Sequence, residues 1–207
     1  MKIKNKILGL SGVAGSGKDL FFELLNSKIN NLKRYALADK LKEDVFDFCI
    51  QQYDIDPLKC SRDEKNMVRP FLVSHGNIKR KISNGRHWIN GLTKIIQEDL
   101  ADGLIKSTDV ICITDVRYGE FKKDEVYWLK NELGGSLVHI SKYRMKNKKR
   151  RYHPPANLAE TVNDPRLVES ADYKIKWPEL SGKNFKKKLE KYVDKFLIDF
   201  KFQHGEL

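Results

Sequence analysis

Lys6-Ile7-Leu8-Gly9-Leu10-Ser11-Gly12-Val13-Ala14-Gly15-Ser16-Gly17-Lys18-Asp19-Leu20-Phe21-Phe22-Glu23-Leu24-Leu25 is the stretch that decides the fold. Its first six residues read as a short buried strand, and the run from Asp19 reads as the first turns of a helix. Between them Gly12 to Lys18 fill the pattern G-x-x-x-x-G-K. Strand, glycine-rich loop and helix N-terminus in that order make an anion cradle. Glycine lets the backbone curl tightly, so that successive N–H groups from Gly12 through Ala14, Gly15, Ser16 and Gly17 turn inward onto a phosphate chain. Lys18 adds a point charge toward the outer end of that chain. The bland alternative is a strand-to-helix turn with no ligand; the strand before and the helix after argue against it. The expected ligand is a nucleoside triphosphate such as ATP.

Position 19 narrows the reading. A hydroxyl residue usually follows the lysine and ligates magnesium, but here Asp19 and then Leu20 follow. A carboxylate can hold Mg2+ through a water, since magnesium keeps several waters and takes oxygen ligands. Asp19 can equally favour the positive end of the helix, by a few tenths to about 1 kcal/mol. Both readings stay open.

The chain has 207 residues, enough for one domain with a substantial core. A hydrophobic fraction of 40% with 33% charged residues describes a soluble globular protein. No stretch approaches the run of about 18 apolar residues that spans a bilayer, and Ile7–Leu10 is too short for a signal-peptide core. Cys49, Cys60 and Cys112 are odd in number and far apart, which excludes a disulfide framework and a zinc site and fits a reducing cytoplasm. The net charge of +12 suits a nucleic-acid binder, and equally an enzyme of polyphosphate substrates. Part of it has a plain cause. Phe185, Leu189, Tyr192, Phe196 and Phe200 recur at helical spacing, leaving Lys183, Lys187, Lys188 and Lys191 on the outer face of an amphipathic C-terminal helix. Nucleic acid and membrane are therefore disfavoured as partners; small-molecule nucleotides are favoured, and no feature excludes a homodimer.

Strands and helices alternate, as in a doubly wound α/β fold with a parallel sheet of about five strands. The expected strands are Lys4–Ser11, Arg34–Ala38, Val110–Thr114, Ser136–Ser141 and Tyr173–Trp177, all short and mostly apolar. The expected helices are Lys18–Lys28, Asp39–Tyr53, Glu64–Ile82 with a break near Pro70, His87–Leu100, Phe121–Leu133 and Gly182–Lys201. Tyr143–Pro165 is basic, carries Pro154, Pro155 and Pro165, and reads as a loop or flap.

In such sheets ligands bind beyond the C-terminal strand ends. Asp115 follows the strand Val110–Thr114, where an acid can ligate or orient magnesium. It can also cap a helix starting near Glu120. Arg117, two residues on, can grip phosphate bidentately. Asp39 lies just past the second strand, as helix cap or site residue, and Lys42 faces the same region. Arg69 and Arg80 stand about three helical turns apart, hence on roughly one face; their other reading is a solvated basic face. Arg144 and Arg151 fall in the proline-marked segment, which is either a lid that brings cations to the transferring group or a basic tether.

These segments carry a resemblance. Gly17-Lys18-Asp19 resembles the loop end of phage-type deoxynucleoside monophosphate kinases and animal-type phosphomevalonate kinases, apart from Leu20 where many have a hydroxyl residue. Leu37-Ala38-Asp39-Lys40-Leu41-Lys42 looks like the phage family's L-A-D-P-L-K, and Asp115-Val116-Arg117-Tyr118-Gly119-Glu120 like its D-V-R-F-x-N-E with a residue fewer. Arg69 through Trp88 is similar to its stretch of two spaced arginines and a tryptophan. Asn157-Leu158-Ala159-Glu160 falls where it has H-x-S-E, matching at the glutamate alone. The resemblance implies one kinase domain over residues 1–207, with an acceptor region at about 54–100 and a lid at about 143–165. It implies transfer of the γ-phosphoryl of ATP, with Mg2+, to a nucleoside monophosphate, a deoxynucleotide (dNMP) giving dNDP. Asp39, Lys42, Arg69, Arg80, Trp88, Arg117 and Glu160 would surround the acceptor. Lys18, Asp115, Arg117, Arg144 and Arg151 would act on the transferring group, with Asp19 and Asp115 at the metal. Alternatives are a related kinase of a non-nucleotide phosphate and a nucleic-acid-binding ATPase.

Overall fold

The computed structural model describes residue 3 and residues 5–204, so Lys4, where the first strand is expected to start, lies outside the described residues. The described residues hold a six-stranded, mostly parallel sheet. Its strands are β1 (Ile7–Ser11), β2 (Leu32–Tyr35), β3 (Val110–Ile113), β4 (Ser136–Lys146), β5 (Lys149–Tyr152) and β6 (Tyr173–Pro178). They run β2-β3-β1-β4, with β6 parallel to β4 as well, and β5 antiparallel to the far end of β4. The fold is the expected α/β class.

All residues of β1 and β3 are buried, because helices cover both faces. On one face α1 (Lys18–Asn26) and α8 (Phe185–His204) bring Phe21, Leu25, Val193 and Phe196 against Leu8, Leu10, Val138, Ile140 and Trp177. On the other, α5 (Arg86–Ala101) and α6 (Glu125–Tyr127), which continues as the π-helical turn Trp128–Glu132, bring Ile89, Leu92, Ile96, Trp128 and Leu129 against Ile7, Ile111, Ile113 and Leu137. A third cluster, Val45, Cys49, Ile55, Val68 and Leu72, joins α3 (Phe46–Tyr53) to α4 (Arg62–Ile82).

Four expectations are corrected. The helix expected over Asp39–Tyr53 is two, α2 (Leu37–Asp44) and α3, because the chain bends at Val45 to bury it in the third cluster. The break expected near Pro70 is absent: α4 runs through it, with Pro70 and Asn66 both exposed, so the carbonyl left without a donor reaches water. α4 also starts at a capping box in which Ser61 and Glu64 each accept the other's backbone N–H. The helix expected from Phe121 begins only at Glu125.

The fourth correction concerns the expected loop Tyr143–Pro165. It is a β-hairpin followed by α7 (Leu158–Ser170). Asn147 and Lys148 both take positive φ, 51° and 59°, forming a two-residue connection whose twist suits the strands. Asn157 caps α7 by accepting the Glu160 N–H at 2.9 Å, and Pro165 lies inside the helix. Tyr143 pairs with both Tyr152 and Pro178. β5 therefore lies on the β1 side of β4, beyond the end of β1, which sets the hairpin over the glycine-rich loop. No helix of the described residues is long and apolar enough to cross a membrane.

In α8, Lys187, Lys188 and Lys191 are exposed while Phe196 is fully buried against Phe21 and Tyr173. Phe196→Ala should cost about 3–5 kcal/mol, against within about 0.5 kcal/mol for Lys187→Ala. Urea unfolding midpoints measure both.

Candidate active site

The glycine-rich loop is held from two sides. Gly12, Gly15 and Gly17 have φ of 134°, 76° and 97°, which side chains rarely tolerate. A Cβ at Gly12 would collide with the carbonyl oxygen of Ile140, and one at Gly17 would stand 2.6 Å from the ring of Trp177. The Trp177 indole N–H donates to the Ser16 carbonyl at 2.9 Å, pinning the loop. Trp177, absent from the site expected from sequence, reads there only as an apolar strand end. Ser16 is fully buried, and its Oγ has no hydrogen-bond partner among the described residues while lying 2.8 Å from where a Gly12 Cβ would be. A buried hydroxyl left unpaired costs about 1–3 kcal/mol, which a ligand oxygen inside the cradle relieves. The donor set fits a phosphate chain. The Leu20 side chain packs against the core of the α1 face with Phe21 and Phe22, so it offers no side-chain contact to a nucleotide.

Lys18 folds back over the loop, donating to the carbonyls of Gly12 at 2.6 Å and Val13 at 3.1 Å. Burial, reinforced by the charge of Arg117, brings its pKa down to about 8, against the pull of Glu160, Asp19 and Asp115. Asp19 is exposed in the first turn of α1. Glu160 reaches the loop from α7: one carboxylate oxygen accepts the Ala14 N–H at 3.0 Å, the other the Ala156 N–H at 2.8 Å. It is a neighbour of the loop rather than of the acceptor region.

At the end of β3, Asp115 accepts the N–H groups of Leu37 and Ala38, both at 2.8 Å. It does cap a helix, but α2 across the sheet and not the one expected near Glu120. Asp39 is consequently no cap; it sits inside α2 and binds Arg34 at 2.6 Å and Lys42 at 3.3 Å. Burial raises its pKa, and the hydrogen bonds and charges of Arg34 and Lys42 outweigh that, leaving it below the usual carboxylate value. Arg117 is exposed, and its guanidinium makes no hydrogen bond or ion pair among the described residues. Its backbone N–H and that of Tyr118 donate to the buried carboxyl of Glu125, at 2.6 and 3.1 Å, so Glu125 sets the turn that carries Arg117. Burial pushes the Glu125 pKa up to about 8 despite the opposing charge of Arg80.

Two expected acceptor residues are withdrawn by the geometry. Arg80 is 4% exposed, forks onto Asp124 at 2.9 and 3.0 Å, lies 3.6 Å from Glu125, and stacks 3.5 Å above the Tyr118 ring. With Glu120 also 3.8 Å away, three acids and an aromatic face occupy it, so no phosphate can. Trp88 is buried in the α5 core and donates to the Gly76 carbonyl at 3.3 Å; it is a packing residue. Arg69 is exposed on α4 without an ion pair among the described residues. The shared helical face of Arg69 and Arg80 is real, but only its C-terminal half is covered by the body.

The hairpin carries cations in register. Arg144 faces Arg151 and Lys146 faces Lys149. Like charges directly opposite one another destabilise a strand pair, and the acid set against them is Glu179, 3.1 Å from Arg144 Nε. Arg144, Lys146, Arg151, Tyr152, His153 and Pro154 line an open cavity of about 310 Å3. Excess positive charge concentrated in this way favours an anion.

Among the described residues no three His, Cys, Asp or Glu side chains are grouped to hold a metal. No protein-family model matches the chain, and no curated protein matches it. Among solved structures it is similar to a dephospho-CoA kinase from Campylobacter jejuni, at 13% identity and a TM-score of 0.44 over 97% of this chain and 99% of that one. A shikimate kinase from Acinetobacter baumannii in complex with shikimate aligns at 10% identity and a TM-score of 0.42 over 96% of each chain. At such distances neither carries an activity across.

Arg80→Met should leave the buried Asp124 without its counter-charge and destabilise by about 3–5 kcal/mol, whereas Arg69→Ala should stay within about 0.5 kcal/mol; urea unfolding compares them. Lys18 offers a pH test. Its folded pKa of about 8 lies below the unfolded 10.5, so the folded chain binds fewer protons. Its burial therefore opposes folding fully below about pH 8, and the penalty fades as pH rises toward 10.5. A bound polyphosphate returns the proton to Lys18. Titration calorimetry of ATP near pH 8.5 in buffers of different ionisation enthalpy should show net proton uptake, lost in Lys18→Met.

Proposed function

We propose that this chain is a single-domain ATP-dependent kinase that transfers a phosphoryl group to a nucleoside monophosphate, with deoxynucleotides as the preferred acceptors. The observation that carries the reading is the unpaired Ser16 hydroxyl buried inside a positive-φ loop that also presents Lys18. The acceptor class rests on the Asp39, Asp115–Arg117 and lid motifs described from sequence, with Arg80 and Trp88 removed from the set.

In this reading the loop amides and Lys18 hold the β- and γ-phosphates, and magnesium, when bound, would supply charge neutralisation. Asp19, free in the first turn of α1, and Asp115, whose oxygens keep a second lone pair beside the α2 amides, would hold the ion through water. Arg117, set by Glu125, meets the acceptor phosphate, with Lys42 and Arg69 as further cations. The hairpin bearing Arg144 and Arg151 is the lid, and its like-charged pairs are relieved by the phosphates it covers. An oxygen of the acceptor monophosphate attacks the γ-phosphorus, the bond to the bridging oxygen breaks, and ADP leaves. No side-chain base is required; alignment and charge neutralisation do the catalysis.

An acceptor screen with ATP and Mg2+ across the common ribo- and deoxynucleoside monophosphates tests the proposal. Transfer to mevalonate phosphate alone, or ATP hydrolysis stimulated by DNA, would replace it. Lys18→Ala should lower turnover by orders of magnitude without lowering the melting temperature. Arg117→Lys keeps the charge but loses the fork, so the KM for the acceptor should rise roughly ten- to a hundredfold while that for ATP changes far less.

A further inference from the structure

The phosphate loop is already partly occupied by the protein itself. Glu160 Oε1 sits 3.0 Å from the Ala14 nitrogen, one of the loop donors expected from sequence to face an anion, and Oε2 takes the Ala156 N–H at 2.8 Å. The carboxylate is carried there by a braced helix. Asn157 fixes the first turn of α7 through the Glu160 N–H. Asn163 accepts the Gly119 N–H at 3.3 Å, and Asp164 meets the ring of buried His139 on β4 at 3.0 Å. On the other side of the loop, Lys18 is turned inward onto two carbonyls. The Ala14 amide and the Glu160 carboxylate thus satisfy each other, and the ammonium is satisfied by the loop's own carbonyls.

A phosphate chain entering the loop would bring a second anion to the Ala14 donor. Two like charges cannot share one N–H at these distances without strong repulsion. We propose that Glu160 is the affinity- and specificity-determining residue of the loop: an internal anion that bound phosphate must displace, freeing the chain at Ala156 between the hairpin and α7. The proposal rests on the phosphate-loop reading above. It goes beyond that reading in assigning Glu160 to neither the acceptor nor the metal, and in making its removal favourable for binding. A charge that opposes entry raises the threshold for all phosphate chains, and most for the most highly charged. Glu160 therefore narrows the advantage of ATP over ADP.

The sign of a mutational effect decides between this role and a supporting one. Glu160→Gln keeps the size and an acceptor oxygen but removes the charge. The Kd for ATP, by calorimetry, should fall about tenfold, that for ADP should fall less, and that for inorganic pyrophosphate should also fall. A brace that merely holds the loop in shape predicts weaker binding of all three, and weaker or unchanged binding overturns the proposal. The unaltered chain gives a second measurement that needs no variant. On addition of ATP, amide exchange should speed up at Ala156, which loses its acceptor, while it slows at Gly15–Lys18. Slower or unchanged exchange at Ala156 overturns the proposal as well. If the unaltered chain binds neither ATP nor pyrophosphate, the phosphate-loop reading falls and takes this one with it. If it binds both and Glu160→Gln binds no tighter, only this one falls.

Discussion

A side chain at position 12 would run into the carbonyl of Ile140, and one at position 17 into the indole of Trp177. The loop can therefore pass only as bare backbone between the ends of β1, β4 and β6, and the rest of the molecule is arranged around that passage. β4 must lie beside β1, as the Ser11–His139 register places it. β6 must lie on the far side of β4, so that Trp177 can reach the Ser16 carbonyl. α8 must then cover the face from which Trp177 and Phe21 project, which its Phe196 does. The shape of residues 12–18 is a property of three strands and a helix, not of seven residues.

The charged groups at the rim divide by what they already hold. Asp115, Asp124 and Glu125 are buried and spend their oxygens on backbone N–H groups or on Arg80. Through those bonds Asp115 aims α2, with a lone pair left on each oxygen, and Glu125 shapes the turn at Arg117. Arg117, Arg69, Arg151, Lys146 and Lys149 keep exposed charge without such partners among the described residues. A net +12 gathered partly on one rim attracts polyanions and weakens with added salt. α7 ties the rim together, since it touches the loop through Glu160, the β3 end through Asn163 and β4 through Asp164.

Residues 6–25, the alternation of apolar strands with helices, and the apolar spacing of Phe185–Phe200 were enough to specify a parallel α/β sheet, the loop and the two-faced C-terminal helix. Those features follow from local periodicity and from the backbone freedom of glycine, which need no partner to be read. The segment 143–165 was not legible because three prolines outweigh local signals. The Asn147-Lys148 turn is stabilised by the strands it joins, and α7 by its docking on β4 and on the turn at Gly119. Arg80 and Trp88 have the same residue types as ligand-binding groups. Only the approach of Asp124, Glu125 and Tyr118 from more than 35 residues away makes Arg80 structural, and only the covering of α5 makes Trp88 core. The sequence by itself determined the cradle and the order of elements around it. Which arginines keep a free charge, which carboxylates are consumed by backbone amides, and that Glu160 faces the loop were decided by the tertiary structure, because burial and long-range pairing set the state of a charged group and neither is encoded locally.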